Sequence, residues 1–150
     1  MANHDIESFL DREALQLASV NKRALALFID ALIITFILII IDYPNYSALE
    51  TIEEAVMWSN DIFVVYLLVS FSYQALFVFL YGATLGKMAM KIRVIALSSG
   101  DNPSLFEASN RSIVRLISEL VFGLGFLWGF FDTNRQAWHD KSASTLVIDA

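Results

Sequence analysis

The chain is 150 residues long and 57% hydrophobic, with a mean hydropathy of +0.57, whereas a soluble domain has about 45–50% apolar residues. Its net charge of −6 argues against a nucleic-acid partner and against a polybasic grip on anionic lipid. It has no cysteine, which excludes disulfides and thiolate metal sites.

Residues 5–20, DIESFLDREALQLASV, place Ile6, Phe9, Leu10, Ala14 and Leu17 on one face of a helix, with a mainly acidic opposite face. A cleaved signal needs a basic start and a prompt apolar core. The acidic, amphipathic start has neither, so the first span is expected to act as its own insertion signal. The pattern suits a surface helix packed on the rest of the protein; docking a partner protein is the other role it could serve.

Residues 31–41 and 62–81 carry no charge. The second run matches the length a helix needs to cross a hydrocarbon core of roughly 30 Å. In lipid the backbone must satisfy itself, so such runs are helices. The expected fold is an all-α integral membrane protein: an N-terminal segment at 1–20, then a membrane domain at 21–150 with spans at about 23–41 and 62–81. The acidic loop at 42–61 contains no Lys or Arg. Arg12, Lys22 and Arg23 precede the first span, and Lys87, Lys91, Arg93 and Arg111 follow the second. The positive-inside rule then puts the N-terminus and the 82–111 loop in the cytoplasm.

KMAMKIRVIAL at 87–97 alternates, with Met88, Met90, Ile92 and Val94 facing one way and Lys87, Lys91 and Arg93 the other. That is strand periodicity, closed by the turn signal SSGDNP at 98–103. STLVID at 144–149 is a second β-prone stretch, and two lone strands are best explained as partners, which would hold the C-terminus on the cytoplasmic side. A third apolar segment lies at 112–131. Arg115 and Glu119 interrupt its start, and GLG at 123–125 weakens a helix by roughly 1 kcal/mol per glycine. It reads as a tilted helix over 110–121, a break at GLG and a short return, with a plain third span as the alternative.

Arg23 and Asp30 are two turns apart on one helix face, about 10 Å along the axis. Arg23, at the mouth, can snorkel to the interface. A lone carboxylate at the depth of Asp30 costs a few kcal/mol or more, so it must face protein or water, pair with a cation, or be protonated. Arg111, Arg115 and Glu119 form an i, i+4 charged stripe, and Arg111 and Arg115 are the candidate cations. Ser70, Ser72, Tyr73 and Gln74 make a polar patch in the second run, either bonding between helices or lining a path. The simplest role for all these charges is a buried network that fixes helix packing.

YGATLGKMAMK at 81–91 fails as a phosphate loop: three residues separate the glycines, and Met88 follows Lys87. Gly82 and Gly86 instead suit a tight exit from the membrane, with Lys87 at the head-group level. His4 and His139 lack ligand spacing, so neither a metal nor another cofactor is expected. No nucleophile or paired-carboxylate motif is readable, and the chain is not expected to be an enzyme.

These blocks together resemble the RDD family of small membrane proteins, named for an arginine and two aspartates. R-x-x-A-x-x-x-D falls at Arg23, Ala26 and Asp30; G-x-T-x-G-K at 82–87; R-x-x-x-R at Arg111 and Arg115. HDKSASTLVI at 139–148 is similar to the family's HD-R-x-A-G-T-x-V-V ending, which makes Asp140 the second aspartate. Lys141 and Ser144 stand where the family has Arg and Gly. The resemblance covers residues 21–148. It implies a largely uncharacterised family, with cation/proton antiport proposed for some members and assembly or quality control for others. The expected location is the bacterial inner (plasma) membrane.

Two functions follow as expectations. One is an oligomeric transporter exchanging Na⁺ or another monovalent cation for H⁺. In it Asp30 is alternately protonated and cation-loaded, Arg23, Arg111 or Arg115 tunes it, and Gln74 and Ser70 line the path. The other is a non-catalytic membrane adaptor or assembly factor, in which the network of Arg23, Asp30, Gln74, Lys87, Arg111, Arg115, Glu119 and Asp140 locks the helices. A homo-oligomer or a membrane-protein partner is expected in either case.

Overall fold

The computed structural model describes residues 3–121 and 123–150, and side chains from residue 6 onward within them. In chain order the elements are α1 (Asn3–Arg12), α2 (Val20–Ser47), α3 (Ile52–Tyr81), α4 (Leu85–Ala89), β1 (Ile92–Ala96), α5 (Leu105–Leu120), α6 (Leu124–Phe131), α7 (Trp138–Ser142) and β2 (Thr145–Asp149).

Helices α2 and α3 are long and apolar enough to cross a membrane, and only 22% of each apolar window is buried within the chain. Their remaining greasy faces, such as Phe28, Leu32, Phe36 and Leu68, are exposed, as lipid-facing surface must be. Both outrun the expected spans. At 28 and 30 residues they extend about 42 and 45 Å, beyond a core of roughly 30 Å. The acidic stretch expected as a loop at 42–61 is therefore mostly helix. Its start was hidden in TIEE, where the Thr51 hydroxyl accepts from the Glu54 N–H and the Glu54 carboxylate accepts from the Thr51 N–H. That reciprocal cap satisfies two orphan donors and starts a helix within an acidic run.

The two β-prone stretches pair. Strands β1 and β2 run antiparallel, from Ile92 opposite Asp149 to Ala96 opposite Thr145. The first strand begins at Ile92, not at residue 87, because 85–89 close into α4 after the Gly82 turn. One face of the sheet packs Ile95, Leu97, Leu146 and Ile148 against Ile6, Phe9 and Leu10 of α1. The other packs Ile92, Val94 and Val147 against Ala26 of α2, Val78 of α3 and Ala108 of α5. Strand alternation thus bonds α1 to one side and the long helices to the other. Helix α1 is shorter than its pattern suggested. It ends at Arg12, Ala14 takes a φ of 51°, and Leu17 makes a bridge with Ile148.

The third apolar segment is bent by 103° between α5 and α6. Helix α5 starts five residues before the expected Asn110, because SLFE forms a second reciprocal cap between Ser104 and Glu107. At 16 and 8 residues, α5 and α6 reach about 24 and 12 Å, each short of a full crossing. Since β1 and β2 pair, residues 97–144 leave from and return to one end of the α2–α3 pair. The bent pair by itself fits a broken span or a re-entrant loop, and the strand pairing suits the hairpin reading.

Candidate functional site

At the sheet end of the long helices, the four sequence blocks meet. The family spacing on α2 becomes intelligible first. Ala26 and Asp30 are both fully buried, and α4 lies across them. A Cβ at Gly86 would collide with the Ala26 carbonyl and the Asp30 carboxylate, so glycine is what permits this approach. Gly82 ends α3 in the left-handed region at φ 67°, its N–H donating to the Val78 carbonyl. Thr84 and Gly86 are thereby delivered onto Asp30.

Four groups donate to the Asp30 carboxylate. Tyr73 Oη and the Gly86 N–H reach Oδ1 at 2.7 and 2.8 Å; Thr84 Oγ1 and Gln74 Nε2 reach Oδ2 at 2.6 and 3.3 Å. Within the α3 polar patch, Ser70 and Gln74 are buried beside Tyr73, while Ser72 faces outward. Lys87 Nζ donates to Thr84 Oγ1 at 3.2 Å and to Gln74 Oε1 at 3.4 Å. Its ammonium is thus one hydrogen bond removed from the carboxylate.

The expected pairing of Asp30 with a guanidinium does not occur among the described residues. Arg23 and Arg111 both bond Asp140 instead, one at each carboxylate oxygen. The cause is geometric. Helical side chains lean toward the helix N-terminus, so Arg23 reaches away from Asp30, to Asp140 and the Arg135 carbonyl. Asp140 is fully buried and also accepts from the Ala137 N–H at 2.9 Å. Arg111 adds a bond to Thr145 Oγ1 at 2.8 Å. Arg115 pairs with Glu119 at 2.7 Å and donates to Ser70 Oγ at 3.1 Å.

Burial opposes the charge on Asp140, yet the Arg111 and Arg23 guanidinium groups hold its carboxyl far below the ordinary range. Burial pushes His139 well below its usual value, with Asp140 pulling the other way and Arg111 and Arg23 adding to burial. Burial and the Arg111 charge push Lys87 down to about 7 against the opposing pull of Asp30.

This constellation is the RDD pattern in three dimensions, and the sequence comparison agrees: the model of the RDD family matches residues 17–144. The chain belongs to the RDD family. It is also similar to uncharacterized protein RP437 of Rickettsia prowazekii (strain Madrid E), 27% identical over 107 residues, or 71% of this chain and 60% of that protein. No solved structure matches. RDD membership and the two apolar helices make this a membrane protein.

The family's arginine binds its second aspartate, while its first sits among neutral donors. Thr84, Tyr73, Thr145 and His139 complete the RDD site and were not among the residues singled out for it. Thr84 had a signal, as the fixed threonine of the G-x-T-x-G-K block. His139 and Thr145 had the same kind of signal, as the fixed histidine and threonine of the HD-R-x-A-G-T-x-V-V ending, and Tyr73 stood in the polar patch of the second run.

Proposed function

We propose that this RDD-family chain is a non-catalytic membrane adaptor or assembly factor. Its buried charges fasten a small sheet unit, seated on the cytoplasmic side, to the membrane helices. The observation that carries this reading is the shared Asp140. One carboxylate on α7, just before β2, takes a guanidinium from α2 and another from α5, and so ties three separate elements. Asp30 does the same for α2, α3 and α4 through four donors. The exposed side of α1, with Glu7 and Asp11 outward, and the uncovered faces of α2 and α3 are the surfaces offered to a homo-oligomer or a membrane-protein partner.

Cation/proton exchange is the second reading. It is favoured by the contiguity of Lys87, Thr84, Gln74 and Asp30, a carboxylate joined through hydrogen bonds to a lysine held near neutrality. Against it stands the company of Arg23, Arg111 and Arg115, which repel a cation. Reconstituted vesicles separate the two. The adaptor reading expects no Na⁺-driven pH change from the unmodified protein, and loss of the native-membrane complex in both Asp30→Asn and Asp140→Asn. Na⁺-coupled flux that Asp30→Asn abolishes while the complex stays intact would overturn it.

A further inference from the structure

Two cavities adjoin at the RDD site. The smaller, of about 40 Å³, is lined by Arg23, Lys87, Arg111 and Arg115 together with Gln74 and His139. Four cations there face three carboxylates: Asp140, shared by Arg23 and Arg111; Glu119, paired with Arg115; and Asp30, reached only through Thr84 and Gln74. Positive charge is left over. Among the described ion pairs Lys87 has no carboxylate, and its ammonium is bonded to neutral oxygens alone. His139 also lines this cavity. Its side chain is 4% exposed and its Nε2 lies 3.5 Å from Asp140, which leaves the buried Nδ1 as a lone-pair acceptor with no hydrogen-bond partner. A buried polar atom of this kind normally has one, and a head-group hydroxyl beside the phosphate would donate to it. At roughly 10–15 Å³ for each water-sized group, the cavity holds about three, enough for the two non-bridging oxygens of a phosphodiester.

The larger cavity, of about 190 Å³, is an apolar groove between α2 and α6. It shares Arg23, Leu27 and Phe126 with the basic cavity and continues along Leu127 and Phe130, with Arg135 at its polar end. A free phosphate would use only the first cavity. A lipid would use both.

We propose that the basic cavity and the groove form one binding site for an anionic phospholipid, its phosphate beside Lys87 and Arg23 and an acyl chain along Leu27, Leu127 and Phe130. Basic pockets between membrane helices take acidic lipid head groups in this way. The chain's net charge of −6 hides the site, because acidic residues such as Glu50, Glu53 and Glu54 lie at the opposite end of the long helices. The site goes beyond the adaptor reading and does not depend on it.

The test is native mass spectrometry of the full chain at pH 6, released from nanodiscs of phosphatidylglycerol or of phosphatidylcholine, with inorganic phosphate as a separate arm. One phosphatidylglycerol is expected to stay bound and phosphatidylcholine is not. Lys87→Met, which leaves the Asp140 ion pairs and the four donors to Asp30 in place, should weaken retention about fivefold. Leu127→Trp, which fills the groove, should abolish lipid retention while leaving the melting temperature of the lipid-free protein unchanged. Equal retention of both lipids, or full retention in Lys87→Met, would overturn the proposal. So would inorganic phosphate alone displacing the lipid in full at equal concentration, since that points to an ion site without a chain.

Discussion

Asp30 and Asp140 are both fully buried, and they are stabilised by different means. Asp140 has two guanidinium partners; Asp30 has four neutral or backbone donors. The difference predicts different losses. Asp30→Asn places an amide N–H₂ against groups that themselves donate, leaving at least one donor without an acceptor. At about 1–3 kcal/mol for a buried unsatisfied group, the variant should unfold earlier in detergent, by denaturant titration followed by circular dichroism. A second prediction concerns Ser144, which stands where the family has glycine. Its φ is 51°, a left-handed conformation that costs a residue with a Cβ roughly 1–2 kcal/mol. Ser144→Gly removes that strain but loosens the unfolded chain. A net gain of about 0.5–1 kcal/mol in the same titration is expected, and any loss would show that the serine hydroxyl matters more than the backbone. The sequence carried both aspartates and the Gly–Ser exchange plainly. It did not carry the partners, because which way Arg23 leans is decided by the direction of a helical side chain and by where α7 lands.

At the scale of elements, the apolar runs, the strand pair and the amphipathic start were readable, since each is a periodicity of a single stretch. The errors were at ends. Two reciprocal caps, TIEE and SLFE, lay inside segments that read as loops by charge or turn composition. The lysines and methionines of 87–91 alternated like a strand, although the Gly82 turn winds residues 85–89 into α4. Sheet pairing then requires the bent α5–α6 segment to return to the end it left. Single cysteines at Leu127 and at Ala150, labelled from either side of sealed vesicles, test this. Ala150 should label from the same side as a cysteine at Glu7, with Leu127 protected on both sides. Labelling of Ala150 from the side opposite Glu7 would make the segment a full crossing.

For the molecule as a whole, the buried cluster couples stability to pH. The unfolded chain holds the Lys87 proton up to its ordinary value of 10.5, the folded chain only up to about 7. Between those limits the unfolded state binds more protons, so stability rises as pH increases from about 7 towards 10.5. Lys87→Met should flatten that rise. Asp140 works at the other end. Its carboxyl is held below the ordinary 3.8, so its contribution is complete above that value and is lost as pH falls below it. His139, held by burial below its ordinary 6.5, costs stability as pH falls below that value, and Lys87 acts above about 7.

If buried charges fasten the sheet unit to the membrane helices, Arg23 and Asp140 must be energetically coupled, and a double-mutant cycle between them measures that directly. Arg23→Gln, Asp140→Asn and the double variant are unfolded by denaturant in the same detergent. Breaking one side of a buried pair should cost about 3–5 kcal/mol, and the double variant should cost less than the sum of the two, by up to about 3 kcal/mol. Losses that add to within about 0.5 kcal/mol would show that the two groups are energetically independent, and the fastening role would fail.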